Sequence, residues 1–255
     1  MNERLFKARV LENTPASPGY MLISLECLED IKRPIPGQFF MIRLCSGNDP
    51  LLRRAFSLHA WIGKNRFQIL YRIKGIGTKI LSEIQKGQTI DVLGPLGNGF
   101  PKRKAERHVL VAGGIGIAPL IGLAETMDEK DKLSFFMGFR TKTEAICLDR
   151  VNKMAASVSV ATEDGSLGQK GTVIDILNKN LNNIKSTIIY ACGPRNMLKR
   201  VSDVALRHAI DAYLSMEEYM ACGLGSCLGC VIRTTQGYKR VCKEGPIFDH
   251  REIVW

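Results

Sequence analysis

No stretch of this sequence is apolar for long enough to cross a bilayer. The longest uncharged run, VLVAGGIGIAPLIGLA at 109–124, falls short of the roughly 20 residues that a spanning helix needs and is broken by glycines and a proline. The opening MNERLFKARVLEN lacks the apolar core of a secretory signal. There is no low-complexity tract and no block of like charge, so a disordered tail is not expected. The formal net charge is +11, yet the lysines and arginines are scattered, with no basic stripe interleaved with aromatics. A solvated surface or an acidic partner fits this better than nucleic acid. The expectation is a soluble, cytoplasmic protein that binds neither membrane nor nucleic acid.

What is there is the composition of a folded chain. With 255 residues, 45% hydrophobic and 24% charged, it can build two ordinary domains, or one large domain with an appendage. Eight cysteines in a reducing compartment point to metal or catalytic sulfur rather than to structural disulfides. Cys27, Cys45 and Cys147 lie in ordinary strand-like or loop surroundings, where a free cysteine acts as a small hydrophobe.

From Arg4 to about Phe100, short β-type runs (FKARVLEN, MLISLECL, FFMIRLC, FQILYRI, TIDVLG) alternate with Pro, Gly, Asn and Asp punctuation. This pattern predicts a small antiparallel barrel, interrupted by one helix-like piece, TKILSEIQKG. After the basic PKRKAERH, strand and helix alternate: HVLVAGG, a helix, LSFFMGF, helix TEAICLDRVNKM, SVSVAT, helix TVIDILNKNL, STIIYACG and helix RNMLKRVSDVALRHA. That order predicts a doubly wound α/β domain with a mostly parallel sheet and a ligand at the strand carboxyl ends. The last residues, from Ala212, are too few to build a core of their own and need a staple. The expected division is 1–101, 102–211 and 212–255.

Four motifs carry chemistry. In RRAFSLH (53–59) an extended backbone puts Arg54 and Phe56 on one face and Ala55 and Ser57 on the other, offering a cation to a phosphate and a hydroxyl or amide to a ring nitrogen. The later GIGT adds a glycine-permitted turn whose amides can approach phosphate oxygens. A purely structural arginine and serine remain the alternative. VLVAGGIGIAPL (109–120) ends a strand in glycines that open a helix, a pyrophosphate site in form, although the spacing is not G-x-G-x-x-G and a tight turn alone would use the same residues. YACGPRNML (190–198) puts Cys192 at a strand end in the same crevice, as a site residue or as a small hydrophobe. Cys222, Cys227, Cys230 and Cys242 follow the C-x4-C-x2-C plus distant cysteine spacing of a plant-type 2Fe-2S cluster. The alternative, structural zinc, commonly uses two C-x2-C pairs, and here three ligands share one loop. With a cluster in place, the staple of the tail is the cluster itself.

Taken in order, Arg54-Ala-Phe-Ser57, Gly77-Thr78, GGIGIAP and CGPRNM resemble the ferredoxin-NADP reductase superfamily, a flavin barrel followed by a pyridine-nucleotide domain. The closing MACGLGSCLGC and RVCKEGPIFD resemble the electron-transfer subunits of type B dihydroorotate dehydrogenase, and the likeness covers almost the whole chain. The resemblance implies FAD contacts at Arg54, Ala55, Phe56, Ser57, Leu70, Tyr71 and Arg72, with Gly77 and Thr78 at the pyrophosphate. It implies an NAD site near Gly113, Gly114, Gly116, Cys192, Gly193 and Pro194. Ala55 stands where the superfamily tends to have proline, leaving the arginine and serine in place. The implied protein is an oxidoreductase subunit in pyrimidine biosynthesis, active on dihydroorotate only with an FMN-containing partner, in a heterotetramer of two plus two. Related reductase subunits of sulfide dehydrogenase, hydrogenase or transhydrogenase complexes share the same parts. Arg140 or Lys142, after LSFFMGF, could meet a 2'-phosphate, so NAD against NADP rests on the resemblance.

Overall fold

The computed structural model describes residues 4–45, 47, 49–181 and 186–255. Its first sheet is antiparallel throughout. The strands are β1 (Arg4–Ser17), β2 (Tyr20–Cys27), β3 (Phe39–Ile42), β4 (Arg54–Ser57), β5 (Ala60–Ile62), β6 (Arg66–Arg72) and, after helix α1 (Ile76–Glu83), β7 (Thr89–Leu96). They pair in the order β4-β3-β7-β1-β2-β6-β5, and β4 also touches β6, so the sheet curls toward a barrel. β2 alternates buried and half-buried positions, as a strand with one inward face must. The enclosed core holds Phe6, Phe40 and Phe67, the last two stacked with ring centroids 4.4 Å apart.

The second sheet follows from β8 (Arg107–Gly113), α2 (Ile117–Glu125), β9 (Leu133–Phe139), α3 (Leu148–Asn152), β10 (Ser157–Thr162), β11 (Gln169–Lys170), α4 (Val173–Asn180), β12 (Thr187–Cys192), α5 (Arg195–Arg207) and β13 (Asp211–Ser215). The order is β11-β10-β9-β8-β12-β13, parallel, so the chain winds outward from β8 and then returns to its other side. That reversal sets a switch point between β8 and β12. α2 is apolar all round and buried over Ile117–Ala124, as a helix enclosed between two sheets must be. The expected helix over TEAICLDRVNKM is shorter: Cys147 adopts a left-handed φ of 63°, and only Leu148–Asn152 winds as α3.

The tail is joined to the second sheet. β13 crosses residue 212, and β16 (Ile247–Asp249), after the hairpin β14 (Val231–Thr234) and β15 (Gly237–Arg240), pairs antiparallel with β13 through Ser215 and Ile247. Both ends of the cysteine-bearing segment are therefore anchored in the nucleotide sheet. The Asn98 amide N–H donates to the Gly245 carbonyl at 2.6 Å and its side chain to that of Glu244 at 2.9 Å, tying the segment to the barrel as well. Phe39, Met41 and Leu96 of the barrel share one core with Val109, Ala191, Cys230, Ile232 and Cys242.

Candidate functional site

The two glycine motifs of the second sheet meet at the switch point. β8 ends at Gly113 and β12 at Cys192, in adjacent strands. A Cβ on Gly116 would stand 2.1 Å from the Cys192 carbonyl oxygen, and one on Gly193 would stand 2.9 Å from the Gly113 nitrogen. The loops interlock so closely that only glycine fits. Gly114, at φ 53°, instead faces open space. Pro194 caps α5, so Gly113, Gly114, Gly116, Cys192, Gly193 and Pro194 come together beside the first turns of two helices, where backbone N–H groups are left for an anion. Burial pushes the Cys192 thiol up to about 12, which keeps it neutral at physiological pH.

On the barrel side, β4 is extended as its residues require. Arg54 Nη1 donates to the Leu52 carbonyl at 2.6 Å, and Gly77 presses against the Arg54 side chain, where a Cβ would stand 3.2 Å from Nε. Arg54 and the start of α1 thus form one positive corner. Thr78 Oγ1 accepts from the Lys74 and Gly75 amides at 2.8 and 3.1 Å and donates to the Gly75 carbonyl at 3.0 Å. With its hydroxyl engaged in that turn, Thr78 offers a phosphate its backbone.

Phe56 and Tyr71 point into the barrel core edge to face, 5.8 Å apart, and the Tyr71 hydroxyl donates to Asn13 Oδ1 at 3.0 Å. Leu70 packs on the opposite face, against the nucleotide sheet. Ala55 is exposed and Ser57 half-buried. Arg72 reaches across to the second sheet, pairing with Glu144 at 3.1 Å and lying 5.6 Å from the Tyr20 ring centroid.

The cysteine loop rests on the barrel. Gly223 (φ 71°) packs so closely that a Cβ would stand 2.9 Å from Met41 Cγ, and Met41 is the register partner of Ala55. Cys222 therefore lies one strand away from the Arg54–Ser57 motif. The four thiols form two pairs, Cys222 with Cys227 and Cys230 with Cys242, and the charge of Cys222 acts on Cys242. Among the described residues no group of three or more His, Cys, Asp or Glu side chains is gathered to hold one metal ion. Two thiol pairs suit a cluster of two irons, each taking two sulfurs. Backbone N–H groups already address sulfur: Leu224 donates to Cys222 Sγ and Cys242 to Cys230 Sγ, each at 3.4 Å. Burial works against ionisation of Cys222, yet the amides of Cys227, Leu224 and Ser226 outweigh it and bring that thiol down to about 6. For Cys242, burial and the neighbouring Cys230 push the thiol up to about 12.

Sequence reasoning passed over Met41, His59 and Arg240. Arg240, two residues before Cys242, carries the one readable signal, a cation close to a cysteine of the spaced set.

An antiparallel flavin-type barrel joined to a parallel sheet with its glycine loops at the switch point defines a ferredoxin reductase-like fold. The solved NADH-dependent reduced ferredoxin-NADP oxidoreductase, described for flavin-based electron bifurcation, superposes with a TM-score of 0.84 at 28% identity, covering 97% of this chain and 90% of that one. The ferredoxin NADP+ reductase of Neisseria gonorrhoeae, with bound FAD and NADP, shares the fold at a TM-score of 0.69 and 18% identity, over 80% and 91% of the two chains. The family model for the oxidoreductase NAD-binding domain matches residues 110–203, and that for the iron-sulfur cluster binding domain of dihydroorotate dehydrogenase B matches 217–254. The chain is 36% identical to the dihydroorotate dehydrogenase B (NAD(+)) electron transfer subunit of Desulforamulus reducens, covering 99% of both chains. It is 41% identical to that of a Geobacillus species, covering 92% of this chain and 91% of the relative. The chain belongs to the family of dihydroorotate dehydrogenase B electron transfer subunits. Among the described residues no helix is long and apolar enough to cross a membrane.

Proposed function

We propose that this protein is the electron-transfer subunit of an NAD-dependent dihydroorotate dehydrogenase, an oxidoreductase acting with an FMN-containing catalytic partner in a heterotetramer of two plus two. Residues 1–101 bind FAD, 102–211 bind NAD and 212–255 hold a 2Fe-2S cluster. When bound, the cluster supplies one-electron transfer and FAD the conversion between single electrons and the hydride that NAD takes.

The observation that carries this reading is the seat of Gly223 on Met41, beside Ala55. It brings the cysteine loop within one strand of the flavin motif, and adjacent strands stand only about 5 Å apart. In this reading Arg54 and the α1 amides hold the FAD pyrophosphate, Ala55 and Ser57 line its ring, and the backbone of Leu70, Tyr71 and Arg72 flanks it. The interlocked loops of Gly116 and Cys192 orient the nicotinamide. Cys222, Cys227, Cys230 and Cys242 hold the irons.

Tyr219 (95% exposed), Tyr238 (76%) and Leu228 (61%) are apolar groups left open around the cysteine loop. They suit a surface that a partner subunit covers. NAD rather than NADP is supported by the loops after β9 and β10. Ser166 Oγ accepts from the Lys142 N–H at 2.8 Å and donates to Asp164 at 2.6 Å, which fixes a carboxylate, with Glu163 next to it, beside Arg140 and Lys142. A 2'-phosphate would meet that negative charge.

The test is reconstitution. The chain, loaded with flavin and iron, is mixed with an FMN subunit that oxidises dihydroorotate, and NADH formation is followed. Dihydroorotate-dependent NADH formation that needs both subunits is the expected result. A loaded chain that forms no complex with such a subunit, or that couples only to a hydrogenase or sulfide-oxidising partner, would overturn it.

A further inference from the structure

The segment Arg240–Val241–Cys242 is joined to the cysteine loop by three consecutive ties. Arg240 Nη1 donates to the Gly225 carbonyl at 2.8 Å, the Val241 amide to the Cys230 carbonyl at 2.8 Å and the Cys242 amide to Cys230 Sγ at 3.4 Å. The second and third hold the Cys230 and Cys242 pair. The first reaches the stretch between Cys222 and Cys227, which the Gly225 amide also joins to Cys242.

Arg240 is itself oriented by Glu244. Its backbone N–H donates to Glu244 Oε2 at 2.7 Å, its Nε to the same oxygen at 3.0 Å, and its Nη2 to Oε1. The Glu244 amide returns a bond to the Arg240 carbonyl at 2.9 Å. Both side chains are about one-third exposed, at 34% and 33%, so the pair is partly shielded from solvent. Gly225, at φ 82°, makes the approach possible, because a Cβ there would stand 3.2 Å from Nη1 and 3.1 Å from Lys243 Cβ. The planar guanidinium serves two acceptors at once, which a lysine cannot do with the same geometry.

We propose that Arg240 is a positioning residue of the iron-sulfur site: its fork, set by Glu244 and aimed at the Gly225 carbonyl, locks the Cys222 and Cys227 arm in register with the Cys230 and Cys242 pair. The inference rests on reading the four cysteines as cluster ligands. Outer partners of this kind typically change metal retention ~10-fold or more when removed.

The experiment uses anaerobically purified full-length holoprotein, with iron and flavin assayed per chain. Arg240→Met, Arg240→Lys and a control, Arg233→Met, are compared with wild type. Arg233 is an exposed cation on the neighbouring strand of the same hairpin. Two readouts are taken: the rate at which a ferrous chelator bleaches the dithionite-reduced cluster, and the electron paramagnetic resonance spectrum of that cluster. Arg240→Met is expected to lose iron ~10-fold faster with shifted g-values and unchanged flavin content. Arg233→Met stays at wild type, and Arg240→Lys restores the Met variant only in part. Wild-type retention and spectrum in Arg240→Met would overturn the proposal, and full rescue by lysine would overturn the fork. Should Arg240→Met fail to accumulate, Glu244→Gln takes its place, with a smaller effect in the same direction expected and an unchanged cluster counting against the proposal. A wild-type chain without about two irons would sink the cluster reading itself, and the inference with it.

Discussion

His59 Nδ1 stands 3.0 Å from the carbonyl oxygen of Ala118, a bond that runs from the barrel into the buried helix α2. Arg150 Nη1 lies 2.8 Å from the other ring nitrogen and, through Nε and Nη2, also holds Glu125 at the end of the same helix. Arginine can only donate, so Nε2 accepts and Nδ1 carries the proton. Gly122 completes the contact, since a Cβ there would stand 2.7 Å from the His59 carbonyl oxygen. His59, two residues beyond Arg54–Ser57, is thus a fixed joint between the two sheets.

That joint gives a pH dependence. Burial, reinforced by the Arg150 charge, lowers the His59 pKa from 6.5 to about 4. The folded state then binds its proton later than the unfolded state as pH falls. Its contribution is complete above about pH 6.5 and is lost on going down toward pH 4, amounting to about 3 kcal/mol over that window. Denaturant unfolding at several pH values, in wild type and His59→Gln, checks it. Glutamine can donate to Ala118 and accept from Arg150 without titrating, so its acid limb should be flatter by most of that amount.

Gly116→Ala should separate the loops after β8 and β12. The new methyl would meet the backbone oxygen of Cys192 at 2.1 Å, and a carbonyl in a parallel ladder has little freedom to move. A loss of about 1–3 kcal/mol is expected, together with a raised KM for NADH in dye reduction and normal bound flavin. An unchanged KM would count against a nicotinamide site at that crevice.

Arg54→Leu removes the cation at the barrel corner while leaving Gly77 its room. A lost charge-assisted bond to phosphate costs about 1.5–3 kcal/mol, so FAD should bind at least ~10-fold more weakly. Flavin released on ultrafiltration gives the measurement, and full retention would move the pyrophosphate elsewhere.

Cys227→Ser takes away the most exposed of the four thiols. Iron content and the broad visible absorbance should fall, FAD should stay, and NADH-driven dye reduction by the flavin should survive while dihydroorotate-dependent NADH formation by the assembled complex is lost. Normal coupled turnover in this variant would refute electron passage through the cluster.

Much of this was readable beforehand, for physical reasons. Cysteine spacing is a local property of a loop, and glycines at strand ends announce close backbone approach, so the thiol set and the crevice could be named from Cys222–Cys242 and Gly113–Gly116. The short strands β13 and β16 could not. Five and three residues long, they carry too little periodicity, and only pairing with a finished sheet makes them strands. α3 was overextended because an apolar pattern does not reveal the left-handed turn at Cys147. Phe56 and Tyr71 lie in the motif residues that the resemblance gives to FAD, while the contact of their two rings, made across strands, is not legible in either motif. Arg240, His59 and Met41 act through partners far away in sequence, which a local motif does not contain.

The pairing of β13 with β16 also bears on assembly. It closes residues 216–246 into a loop whose two ends are held side by side by Ser215 and Ile247. The entropic cost of bringing those ends together is met by the sheet. The cysteine-bearing segment is thereby a closed loop of the reductase, held at both ends by one sheet, and not an extension hanging from it.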